Sequence, residues 1–306
     1  MLKFISPVLV VALLLSIASC KEQPVAISHA TQGADSTYVT TPESPQPKKV
    51  LATELTGVQC PNCPSGAATL RTLSEQNGDA LIVIGLHAGT LTQPLDKEEA
   101  HSKYDFRTED GDDILNQVFG GDPNGKPAVA YNRMRIGTNG NPFFIQSYAQ
   151  NWGPKLQDAL TSESPVLINV TVSSQYNTAT DKYDLEAKVA YNQEVSGKQR
   201  LNLYLTQDSI IDVQETSNPF NQFDQDYVFM HVFRQAITGI SGQPVLDSLT
   251  TKEAGRVFIF RTSLSLTPPP NQDWHPEHMH VVAFVSEASG EDIHVYQSAQ
   301  TPLVKP

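Results

Sequence analysis

The spacing of apolar and polar residues changes three times along this chain. Behind Lys3, an apolar run covers residues 4–17. From Lys21 to Lys49 large apolar residues become scarce, and Pro42-Glu43-Ser44-Pro45-Gln46-Pro47 resists helix and strand alike. Between residues 49 and 162, apolar residues come in short continuous runs separated by helix-compatible stretches. Val50–Leu55 and residues 80–86 read as strands buried on both faces. Residues 66–76, with Leu70 and Leu73 on one face, read as a helix. So do 95–106 and 112–119, the latter started by Asp112 or Asp113. Ala128–Tyr131 reads as a short strand, and 144–160 as a helix interrupted near Gly153-Pro154.

After Pro165 the period becomes two. Val166, Ile168, Val170 and Val172 alternate with polar neighbours, as do Tyr183, Leu185, Ala187, Val189 and Tyr191, and then Leu201, Leu203 and Leu205. Residues 227–237, 257–264, 279–286 and 293–298 continue the series. Strands alternating with helices predict an α/β unit with a partly parallel sheet over 49–162. About seven or eight alternating segments predict an all-β antiparallel, Ig-like sandwich over 163–306.

The two ends of this pattern carry addresses. A basic start, a short apolar core and Ala18-Ser19-Cys20 make residues 1–20 a secretory signal, too short to span a bilayer. The Cys after Ala-Ser resembles a bacterial lipobox, so Cys20 is expected to carry lipid and hold the protein on a bilayer, each acyl chain contributing about 0.8 kcal/mol per buried CH₂. Residues 21–48 then read as a disordered tether. The chain has 306 residues and a formal net charge of −12, an acidic balance that argues against nucleic acid as a partner.

Of three cysteines, lipidation of Cys20 leaves the pair Cys60 and Cys63, and an exporting compartment permits their disulfide. Cys60-Pro61-Asn62-Cys63 stands where a strand gives way to a helix. Helix N–H groups there stabilise a thiolate, and the second thiol is near enough to release a mixed disulfide. A purely structural staple is the alternative, although so short a loop gains little from closure. Zinc would need two further ligands, so neither metal nor cofactor is expected. His278 and His280 lie in a loop entering a strand, His231 and His294 in the β-region, and His87 follows a buried strand.

Three features resemble the thioredoxin superfamily: the strand–Cys-x-x-Cys–helix order, Glu54 six residues before Cys60, and Pro127 before a short strand. The resemblance implies that Cys60 exchanges, Cys63 resolves, a buried Glu54 carries the proton, and Pro127 is a cis-proline. It also implies that the Lys126 backbone faces an extended substrate. Lys126 departs from the small, β-branched or aromatic residue expected there. A narrower resemblance rests on Thr56-Gly57-Val58-Gln59-Cys60-Pro61-Asn62-Cys63-Pro64, Gly125-Lys126-Pro127, Asn132-Arg133 and 227–234. It is to the outer-membrane protein 28 lipoproteins of Bacteroidetes, which join a thioredoxin-like domain to a β-domain. It implies an outer-membrane, lipid-anchored location, facing periplasm or cell exterior. Asp35-Ser36-Thr37, Asp208-Ser209-Ile210 and Asp247-Ser248-Leu249 resemble the O-glycosylation triplet of that group.

Two functions fit. One is thiol–disulfide exchange with exported protein thiols or a membrane redox partner. The other is a surface binding or adhesion lipoprotein that uses the same scaffold without turnover.

Overall fold

The computed structural model describes residues 33–123, 125–137, 140–146 and 151–305. The signal segment, Cys20 and the first part of the expected tether lie outside the described residues. The first half comprises β1 (Ala34–Val39), β2 (Val50–Leu55), α1 (Cys63–Asn77), β3 (Leu81–Leu86), β4 (Asp96–Lys97) and β5 (Ala100–His101), then α2 (Glu109–Asp113) running into a π-helical turn at Ile114–Val118, β6 (Ala128–Tyr131), β7 (Ile145–Gln146) and α3 (Trp152–Thr161). The second half is all strand: β8 (Ile168–Asn177), β9 (Lys182–Tyr191), β10 (Val195–Ser196), β11 (Gln199–Gln207), β12 (Ile210–Glu215), β13 (Phe223–Phe229), β14 (Val232–Ala236), β15 (Gln243–Val245), β16 (Thr251–Lys252), β17 (Arg256–Leu264), β18 (Met279–Glu287) and β19 (Val295–Pro302).

One sheet crosses both halves, in the order β19-β18-β11-β14-β3-β2-β6-β7, with β15 also on β11. β2 and β3 are parallel, and every residue of both is buried, as their unbroken apolar runs require. The halves meet where β14 lies parallel to β3 through one pair, Val232 and Gly85. There the Gly85 N–H donates to the His231 carbonyl at 2.7 Å. A Cβ on Gly85 would meet the carbonyl oxygens of Met230 and His231 at 3.4 Å, an ordinary contact distance.

Packing confirms the junction. Leu51, Leu55, Ile82 and Ile84 share one buried cluster with Tyr204, Phe233, Val282 and Phe284. A second cluster lies under α1 and α3 around Val50, Leu70, Val129 and Trp152. A third fills the space between the four-stranded sheet β1-β17-β9-β8 and the far end of the large sheet, with Leu185, Val189, Phe258 and Phe260 facing Leu201, Leu203, Val281 and Val285. The period-two pattern in β9 supplies one face of it, Tyr183, Leu185, Ala187, Val189 and Tyr191 being buried.

Several expected elements differ. Residues 95–106 contain no helix; β4 and β5 form a hairpin there, because Leu95 and Ala100 pack on Val213 and tertiary contact overrides local helix preference. The next helix starts earlier than Asp112, at Glu109, because the Thr108 hydroxyl accepts the Gly111 N–H and caps it. Pro154 starts α3 and does not interrupt it: in the first turn its missing N–H has no partner to lose. Residues 227–237 split into β13 and β14 at His231, whose φ is 57°. The part of the tether within the described residues is ordered. β1 pairs with β17, the Gln46 N–H donates to Asn169, and Lys48 Nζ donates to the Tyr296 carbonyl.

A core shared by both halves should unfold as one unit. Phe284→Ala is expected to cost about 3–5 kcal/mol. Trp152 fluorescence, read in a Trp274→Phe background, should be lost together with the second half's β-signal in circular dichroism. Two separated urea transitions would contradict this.

Candidate functional site

The strand-to-helix turn after β2 holds the cysteine pair. Cys60 N–H donates to the Gly57 carbonyl and Cys63 N–H to the Cys60 carbonyl, each at 3.1 Å, and α1 begins at Cys63 with Pro64 in its first turn. The sulfurs are bonded at 2.04 Å. Neither cysteine is at the surface: Cys60 is 1% and Cys63 2% exposed. This corrects the expectation of a reachable sulfur.

The cover comes from the second half of the chain. β12 and β13 pair as an antiparallel hairpin outside the large sheet. From β12, Gln214 Nε2 donates to the carbonyls of Gly57 at 3.2 Å and Cys60 at 3.0 Å, and Glu215 N–H donates to Val58 at 2.9 Å. From β13, Phe229 packs on Phe106 with ring centroids 4.7 Å apart, and Val58 and Ile210 join the same cluster. Asp212, wholly buried, accepts the N–H groups of Lys103 and Tyr104 and so pins the 103–106 segment beside the hairpin. The base of the hairpin is clasped by Asp208, which accepts the His231 N–H and faces His231 Nδ1 at 3.0 Å and His280 Nδ1 at 3.6 Å.

Glu54 projects from β2 into the interior with 6% exposure, and its Oε1 has no hydrogen-bond partner. Burial alone pushes its carboxyl up to about 8, so it is protonated at neutral pH. His87, just past β3, is pushed down to about 3 by burial first, then by the charges of Arg234 and Lys126. It is therefore a neutral ring, and neither nitrogen has a partner of hydrogen-bonding geometry. A cavity of about 170 Å³ brings Cys63, Glu54, His87 and Gln214 together. Cys60 and Pro127 do not line it.

The Lys126–Pro127 peptide is cis. Pro127 rests against α1: a Cβ on Gly66 would stand 2.7 Å from Pro127 Cβ and 3.0 Å from Trp152, so only glycine admits this contact. Lys126 behaves differently from the expectation of an exposed backbone contact. Its side chain is buried, and Nζ donates to the carbonyls of Ala88 at 2.9 Å and Thr90 at 2.5 Å beside Asp122. It ties the loop after β3 to the proline loop. Burial holds its ammonium below the usual lysine range, against the opposing pull of Asp122.

Two further histidines make ion-pair contacts away from the cysteine turn. His294 pairs with Asp292 and stacks near Tyr296, and His275 contacts Asp273. Among the described residues, no group of three His, Cys, Asp or Glu side chains has metal-holding geometry. Sequence reasoning singled out neither Gln214 nor Asp212. No local pattern marks a buried polar residue whose partner lies more than a hundred positions away.

Comparison with known proteins adds the following. HBP35 of Porphyromonas gingivalis shares the fold, with a TM-score of 0.60 at 16% identity, over 85% of this chain and 77% of that one. A protein of Agrobacterium tumefaciens aligns at a TM-score of 0.48 and 12% identity, over 85% and 97%. A domain of the outer membrane lipoprotein Omp28 of P. gingivalis aligns at 0.29 and 19%, over 45% and 88%. No curated protein matches. The sequence model of outer membrane protein Omp28 matches residues 121–303, more than half of the chain. This chain therefore belongs to the Omp28 family of outer membrane proteins.

Proposed function

We propose that this protein is anchored through Cys20 to the outer membrane. In this reading a thioredoxin-like first half carries a Cys60–Cys63 site for thiol–disulfide exchange with exported protein thiols, and a β-sandwich second half covers it. The observation that carries this reading is Glu54. A buried carboxyl oxygen with no hydrogen-bond partner, as Glu54 Oε1 is, destabilises a folded chain, yet Glu54 lines the same cavity as Cys63, where a proton must move each time the sulfur bond opens. Cys60 exchanges, Cys63 resolves, Glu54 gives and takes the proton, and cis Pro127 shapes the first turn of α1. Because the hairpin seals the pair, exchange with a protein requires the hairpin to lift.

A second reading is a binding or adhesion lipoprotein with a static disulfide. It is favoured by the hairpin's outer face, where Ile211 and Val228 sit opposite each other and are 48% and 41% exposed, with Met230 beside them and Phe220 fully outside. Replacing both Cys60 and Cys63 by Ser leaves binding intact in this reading and abolishes function in the first.

In cells, Cys63→Ser is expected to accumulate reductant-sensitive adducts through Cys60, visible on non-reducing gels. No adducts, together with no turnover of a model disulfide, would remove the exchange reading. Cys20→Ser is expected to move the protein from the membrane fraction to the soluble one.

Glu54 also predicts a pH dependence. Its folded value, about 8, lies above its ordinary 4.5. The unfolded chain therefore ionises first, and stability falls as pH rises between those two values, by about 1.4 kcal/mol per pH unit. In urea titrations at pH 5 and pH 8, Glu54→Gln should remove that part of the slope. Parallel curves for variant and parent would mean that the carboxyl is not held in its neutral form.

A further inference from the structure

The cavity beside the disulfide has a polarity and a direction of approach that the exchange reading leaves unused. Its volume of about 170 Å³ is close to that of cavities that take up benzene, and so to the bulk of an amino acid with a short side chain. Two buried polar side chains reach it, Glu54, whose Oε1 has no hydrogen-bond partner, and His87. Of the two cysteines only Cys63 lines it. Its rim on α1 carries Arg71 and Glu75, one helical turn apart and both exposed. Neither makes an ion pair among the described residues. The rim thus offers one positive and one negative group, and the floor offers a sulfur and two hydrogen-bonding groups.

We propose that this cavity admits a low-molecular-weight zwitterionic thiol, of the size and charge of free cysteine, and delivers its sulfur to Cys63 and not to Cys60. The inference rests on the reading that the pair exchanges, and it names a substrate class that needs no lifting of the hairpin. Arg71 receives the ligand's carboxylate and Glu75 its ammonium. His87, held neutral, presents one acceptor and one donor to the group that passes it.

The reaction balances as follows. The ligand's thiolate attacks Cys63 Sγ, and a bond forms between those two sulfurs. The Cys60–Cys63 bond breaks, and its electron pair leaves on Cys60 Sγ. That sulfur lies just ahead of the α1 N-terminus, which stabilises it as a thiolate. A second ligand thiolate attacks the ligand sulfur of the mixed disulfide, releasing Cys63 as a thiol after protonation and the ligand as its own disulfide. Two thiols are oxidised and one protein disulfide is reduced.

The test uses the folded, oxidised chain with L-cysteine, cysteamine and 3-mercaptopropionate, which carry both charges, only the ammonium and only the carboxylate. Each rate is divided by that thiol's rate on an unstructured peptide with the same Cys-Pro-Asn-Cys disulfide. L-cysteine is expected to lead by about tenfold, the size of one charge-assisted contact of roughly 1.4 kcal/mol. Arg71→Gln and Glu75→Gln should each remove the lead. After acid quench at the earliest times and alkylation, peptide mass spectrometry should find cysteine on Cys63 and the alkyl label on Cys60. Equal normalised rates, or cysteine on Cys60, would overturn the proposal. If Cys63→Ser captures no exported protein while the L-cysteine preference holds, exchange with protein thiols falls and the small-thiol route stands. If no thiol reduces the disulfide before the chain unfolds, both fall.

Discussion

The site exists in its observed form because one backbone N–H, that of Gly85, is bonded to the carbonyl of His231. This contact begins the parallel approach of β14 to β3 and joins two halves of the chain into a single sheet. It also fixes where β13 ends. His231 turns the backbone through a positive φ of 57°, Ser209 does the same at 59° on the other side of the hairpin, and Asp208 holds both sides together. Between these two points the β12–β13 hairpin has one place to lie, across the Cys60–Cys63 turn. The burial of the sulfurs, the enclosure of Glu54 and the neutrality of His87 all follow from that placement.

Electrostatics inside the enclosure follow from the same placement. Glu54 and His87 are both kept uncharged, one by holding a proton and the other by refusing one. The nearby charges are satisfied outside it. Lys126 is spent on two carbonyls and Asp122, and Arg234 donates to Gln207 and Gln272 while its Nη2 has no hydrogen-bond partner. The result is a polar cavity without net charge beside a disulfide, where a proton can be moved without first separating an ion pair.

Much of this framework was legible in the sequence, and the reasons are local. Val50–Leu55 and the run ending at Leu86 are too apolar to be anything but doubly buried strands, and β9 announces one buried face by alternation, while β11 and β18 carry apolar residues on both faces and are buried on both. Glu54 and Pro127 stand out in the sequence only through the resemblance to the thioredoxin superfamily. The cover was not legible. β12 buries Asp212 and Gln214 beside Ile210 and Val213, so its pattern shows neither alternation nor an apolar run. Those two polar side chains are stable in the interior only through backbone groups of residues 57–60 and 103–104, which no local window contains. β1 was missed for the opposite reason: all six of its residues are exposed, and pairing with β17 holds it, with Thr37 adding side-chain bonds to Val257 and Arg256.

The separation between Cys60 and the Gln214 side chain that covers it is 154 residues. A polypeptide that emerges amino end first into a new compartment presents its cysteine turn long before the segment that will roof it has arrived. Whatever agent installs the sulfur bond therefore has an interval that closes when translocation finishes. The hairpin acts as a timer as well as a cover: once it has settled, a protein-sized oxidant or reductant meets the turn only by displacing it.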